Sequence, residues 1–188
     1  VTAVAAVVAA VALLATYLTW TAERIDRLNV RVERADASLD AQLVRRAAAA
    51  QALVTAAAAA GDLPETAAAH VRSLATTARQ HDGDRWAIEN TLTRAVTDTV
   101  HRLRSAGAAG APRGLPAELT ELVEASERVD LARSFYNQAV RDARELRARV
   151  VPRLLRLHGR AGLPRFIELA DTTLPEFADD TAFRADLP

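Results

Sequence analysis

The chain contains no cysteine. Disulfides, thiolate zinc sites, cysteine nucleophiles and a lipid-modified cysteine are thereby excluded. Lysine is also absent: all 24 basic side chains are arginine. That removes the phosphate-binding lysine of a P-loop and any Schiff-base lysine. Methionine is missing too, so Val1 is not expected to be the translated start. Aromatics are few (Trp 2, Tyr 2, Phe 4) and isoleucine occurs only at 25, 88 and 167. Beyond valine and threonine, little material suits a strand. What is abundant is alanine, with 43 of 188 residues. Alanine is the best helix former, and arginine and glutamate rank close behind it. At 50% hydrophobic the chain is too apolar for a disordered protein, and its length suits one ordinary domain. Arginines and acids balance at 24 each.

No charged side chain occurs before Glu23. Val4 to Trp20 is alanine, valine and leucine with two threonines and Tyr17. About 20 such residues in a helix cross the roughly 30 Å core of a bilayer. Tyr17 and Trp20 sit at the downstream end, where amphipathic rings favour the headgroup level. A cleaved signal peptide fits less well, because no basic segment leads the run and no small-x-small site follows it. A buried core helix is the other alternative. The preferred reading is a membrane anchor over residues 1-22, with the lipid bilayer as its partner.

From Glu23 onward, Ile25, Leu28, Val32, Ala35, Leu39, Leu43, Ala47, Ala50 and Val54 recur at spacings of three and four, one face of a long amphipathic helix. No glycine or proline interrupts residues 1 to 60. One continuous helix is therefore expected to run to Ala60, stop at Gly61 and restart with Pro64 in the next first turn. Leu63, Ala67, Val71, Leu74 and Ala78 mark a second helix. His81-Asp82-Gly83-Asp84 reads as a turn. Trp86, Leu92, Val96, Val100 and Leu103 mark a third helix, ending near Arg104, with a loop over 105–116. Leu119, Leu122, Val129, Tyr136, Val140, Ala143 and Val150 mark a fourth, interrupted or ended by Pro152. Each stripe must bury against another helix. The expected fold is all-α: a transmembrane helix continuing into an elongated antiparallel four-helix bundle, with two long and two shorter helices. Residues 23-158 would form the bundle and 159-188 an irregular acidic tail containing Pro and Gly.

Two blocks of sequence resemble the LemA family of bacterial membrane-anchored helical proteins. Asp40-Ala41-Gln42-Leu43-Val44-Arg45-Arg46 is similar to the family's D-x-Q-L-x-R-R run. Glu127 to Asn137, reading Glu-Arg-Val-Asp-Leu-Ala-Arg-Ser-Phe-Tyr-Asn, is similar to E-x-x-[IV]-x-x-A-R-x-x-Y-N. Ile88-Glu89-Asn90-Thr91-Leu92 matches a shorter stretch, and Pro152 and Phe166 fall where the family has a proline and a late phenylalanine. The chain departs from the family at Ala48, at Gln51-Ala52-Leu53-Val54 and at Asp36, which stands where the family has tryptophan. The resemblance implies a fold and a membrane anchor, and no catalytic activity.

The polar residues that stand out are Asp40, Gln42, Arg46, Glu127, Arg133, Tyr136 and Asn137. Arg133 and Tyr136 share a helix face, and an arginine near an apolar stripe needs a carboxylate or carbonyl partner. Asp40 or Glu127 could supply it. A buried network that fixes helix register is favoured over a ligand site. No catalytic residue or cofactor is expected. The histidines, at 70, 81, 101 and 158, form no H-E-x-x-H or E-x-x-H unit, so a di-iron bundle is not expected and no metal is assigned. Glu118, Glu121, Glu124 and Glu127 read as a solvated face. G-x-S-x-G, G-x-G-x-x-G and Walker sequences are absent. Residues 141–170 carry eight arginines against three acids, and 171–188 carry five acids against Arg184. Scarce aromatics argue against base stacking, so nucleic acid is not an expected partner.

Arg24, Arg27, Arg31 and Arg34 follow the apolar run and nothing basic precedes it. The positive-inside rule then places the bundle in the cytoplasm and the N-terminus outside the cell membrane. The expected role is a non-catalytic scaffold or adaptor of the bacterial cell envelope, presenting a helical hairpin to unidentified protein partners. The alternatives are an enzyme or an accessory subunit of one, with a site at the hairpin, or a lipid-responsive sensor using the arginine-rich 141–165 face. A solvent-reachable pocket with convergent polar groups would favour the accessory subunit.

Overall fold

A computed structural model describes residues 1–80, 84–107, 116–148 and 164–167. It is all-helical, with no strand among the described residues. The helices are α1 (Thr2–Ala60), α2 (Glu65–Gln80), α3 (Arg85–Gly107) and α4 (Pro116–Ala148). The turn at 81–83, most of the loop expected after α3, Val150, Pro152 and the tail lie outside the described residues, apart from 164–167.

α1 is unbroken over 59 residues, as its freedom from glycine and proline predicts. Thr16, Thr19 and Thr21 donate their hydroxyls to the carbonyls of Ala12, Ala15 and Tyr17, one turn back. Gly61 ends α1 with φ of 80°. The Asp62 N–H reaches the Ala57 carbonyl at 2.9 Å and the Gly61 N–H reaches Ala58 at 3.1 Å, closing a Schellman motif.

Pro64 stands one residue earlier than expected. Its carbonyl accepts from the N–H groups of Ala67 and Ala68, so it caps α2 from outside the first turn. Asp84 caps α3 through its side chain, accepting from Trp86 and Ala87 N–H. α3 also outlasts the expected Arg104: Ser105 donates back to the His101 carbonyl at 2.9 Å and the helix runs on to Gly107.

The described residues divide into two compact units. One takes 1–39, 132–148 and 164–167. Here Thr21, Ile25 and Leu39 of α1 are buried, as are Ala132, Tyr136, Ala139, Val140, Ala143 and Leu146 of α4. Arg147 donates to the Asn29 side chain at 2.7 Å, and Arg31 meets Asp142 at 3.4 Å. The start of α1 is different. Val4, Val8 and Leu13 are 68%, 62% and 72% exposed. This helix is long and apolar enough to cross a membrane, and none of its most apolar window is buried. Arg24 lies over the Trp20 ring, 5.6 Å from its centroid, at the charged boundary of that stretch.

The other unit contains 40–80, 84–107 and 116–131. α2 and α3 pack against each other. Its core joins Leu53, Val54, Leu63, Val71, Leu92, Val96, Val100, Leu103 and Leu122 with eight alanines. Each fully buried Leu or Val side chain contributes about 1.5–3 kcal/mol, and each alanine less. The small side chains leave the helix backbones free to approach closely.

Candidate functional site

The singled-out polar residues are divided between the two units, Asp40, Gln42, Arg46 and Glu127 in one and Arg133, Tyr136 and Asn137 in the other. Arg46 is the most buried of them, at 3% exposure. Its NH2 donates to Oε2 of Glu89 on α3 at 2.7 Å, with the two side chains 4% and 2% exposed. Thr93 and Ser126 are buried beside the pair, and their hydroxyls donate to carbonyls of their own helices. A void of about 10 Å³ adjoins Arg46, Thr93 and Ser126. Four residues before Arg46, Gln42 is half-buried and its Oε1 has no hydrogen-bond partner. Asp40 accepts from Arg85 at 2.8 Å.

Tyr136 and Asn137 have partners within their own unit. The Tyr136 hydroxyl donates to the Arg165 carbonyl at 3.1 Å. Asn137 bonds the Ile167 backbone in both directions: its amide donates to the carbonyl at 3.1 Å and its oxygen accepts from the N–H at 3.0 Å. These bonds hold segment 164–167 against α4, and Ile167 is buried there. Arg144 lies over the Phe166 ring at 5.0 Å. Arg133 is half-buried, and Glu127, one of the carboxylates expected to meet it, is exposed.

Glu89 was not among the residues singled out, although it partners Arg46. Its position carried the signal: it lies three residues before Leu92 and seven before Val96, on the buried stripe of α3. Trp86, expected on that stripe, is only half-buried.

A second feature lies between α2 and α3, an open groove of about 620 Å³. Ala67, Val71 and Ala95 line it with small apolar groups, and His70, Arg94, Asp98 and Arg102 contribute charge and polarity. The Thr91 and Thr99 hydroxyls are committed to carbonyls one turn back. Among the described residues, no three His, Asp or Glu side chains gather as a metal site. His70 and His101 are exposed, and His81 and His158 lie outside the described residues. Compared with known proteins, this chain matches no family model, no curated protein and no solved structure.

Proposed function

We propose that this protein is a non-catalytic, membrane-anchored scaffold or adaptor of the bacterial cell envelope, similar in kind to the LemA family. The carrying observation is the apolar stretch Val4–Trp20, exposed along its length except at half-buried Leu18 and continuous with a charged helix. In water such a surface would be a liability; in lipid it is matched to its solvent. The threonine hydroxyls of the stretch are satisfied within the helix, as a hydrocarbon environment requires. α1 and α4 form the long arms of an antiparallel four-helix bundle. The pairing of Asn29 with Arg147 and of Arg31 with Asp142 supports this, since the later residue on one helix meets the earlier on the other. Arg46, Asp40, Tyr136 and Asn137 are spent on internal partners. This suits a register-fixing role better than chemistry.

The groove between α2 and α3 favours the rival reading, an accessory subunit that holds another protein or a ligand there. Its openness and its bonded threonines suit docking better than catalysis. Carbonate extraction of membranes tests the anchor: the full chain stays with the bilayer, and a chain lacking residues 2–22 is released. Release of the full chain would overturn the proposal. Sidedness is read by introducing single cysteines, for example Ser38→Cys, into this cysteine-free chain. Labelling by an impermeant maleimide only after lysis places the bundle in the cytoplasm.

A further inference from the structure

The α3 wall of the groove carries an unusual charge row. Arg94, Asp98 and Arg102 follow one another at four-residue spacing, so they stand about 6 Å apart along the axis on nearly the same face. All three are exposed. Acid before base at this spacing is the favoured order for a pair within a helix. Glu23–Arg27 and Glu124–Arg128 make such pairs, at 3.5 Å and 2.9 Å. Asp98 and Arg102 do not, and neither do Arg94 and Asp98. Arg94 donates only its Nε, to the Asn90 carbonyl of its own helix. The row therefore presents positive, negative and positive groups in sequence. Beside it lie the small side chains of Ala67 and Ala95 and, on α2, His70.

We infer that the α2/α3 groove seats an amphipathic helix of a partner protein whose contact face carries an acidic, basic and acidic residue at four-residue spacing. The repeat of the row is that of an α-helix, so another helix laid along it keeps all three charges in phase. A compact anion would gain from Arg94 or Arg102 but would face Asp98 between them. Alanine at 67 and 95 leaves room for a helix to lie close, its own small residues inward. Alternation also supplies selectivity, because a uniformly acidic helix meets repulsion at Asp98 and a uniformly basic one at both arginines. This inference rests on the adaptor reading and names the chemistry of the partner.

The test uses the full chain in detergent micelles and a labelled alanine-rich helical peptide bearing Glu, Lys and Glu at positions i, i+4 and i+8. Fluorescence anisotropy should show saturable binding. Arg94→Glu combined with Arg102→Glu should weaken it about tenfold or more, since attraction becomes repulsion at two sites. A peptide with Lys at all three positions should recover binding to that variant, because Asp98 still faces the middle one. Circular dichroism confirms that the variant, altered only at exposed positions, keeps its helices. Failure of the Glu-Lys-Glu peptide to saturate, or an affinity unmoved by the charge reversal, would overturn the inference. So would inorganic tripolyphosphate binding where the peptide does not. Because the measurement is made in micelles, its failure is separate from any failure of the membrane anchor.

Discussion

Replacing Glu89 by glutamine keeps the shape of the side chain and removes its charge. Arg46 would then lie at 3% exposure with no carboxylate at 2.7 Å. Water cannot easily take the place of the lost charge. The adjoining void of about 10 Å³ is at the lower limit for a single molecule. Breaking a buried pair from one side costs about 3–5 kcal/mol, because the remaining charge has been stripped of solvent without compensation. For a chain of this size each kcal/mol moves the melting temperature by roughly 2–4 °C. Glu89→Gln is therefore expected to melt about 6–20 °C lower, followed by circular dichroism at 222 nm in detergent. The combined change Arg46→Met with Glu89→Leu removes both charges. It should recover most of the loss or exceed the parent, as apolar replacements of buried pairs often do. A glutamine variant within about 1 kcal/mol of the parent would refute the claim that this pair sits in a dry interior.

Three further outcomes are expected. Gly61→Ala meets no atom within 4 Å of its new Cβ, but the φ of +80° disfavours any side chain. A loss of about 1–2 kcal/mol in thermal denaturation is expected, and less for Gly61→Asn. Asn137→Ala removes both bonds to Ile167; hydrogen exchange should show the Ile167 amide losing its protection while the amides of α2 and α3 keep theirs. Leu13→Arg places a charge in the middle of the proposed span at a cost of about 2.5–3.5 kcal/mol. The variant should shift from the carbonate-resistant to the extractable fraction, and unchanged partitioning would count against the span.

The helices were legible where a local rule decides them. α1 follows from the lack of glycine and proline before Gly61, and the buried stripe of α3 from Leu92, Val96, Val100 and Leu103. Its last turn was missed because Ser105-Ala106-Gly107 reads as a loop by composition, whereas Ser105 is held by a bond to its own helix. Glu89 was missed for a different reason. A stripe traced through apolar residues steps over a carboxylate, although the spacing places it on the same face. Tyr136 and Asn137 were recognisable, but their partners were not. Those are backbone groups of 165 and 167, roughly thirty residues away, in a stretch that follows no helical period. The α2/α3 groove left no sequence signal, since it is defined by the exposed sides of two helices and by what fails to fill the space between them.

The abundance of single-methyl side chains in the core around Leu53 and Leu92 has a practical consequence. Eight of that core's seventeen buried members are already alanine. Truncation mutagenesis, the usual way to map an interior, is blind to nearly half of this one. Enlargement is the informative experiment. A leucine at 47, 57 or 75, positions with no exposed surface, would have to be accommodated where only a methyl group is now packed. At these eight positions the tolerance is therefore inverted, with added bulk doing more harm than bulk removed, while the nine larger members remain open to truncation.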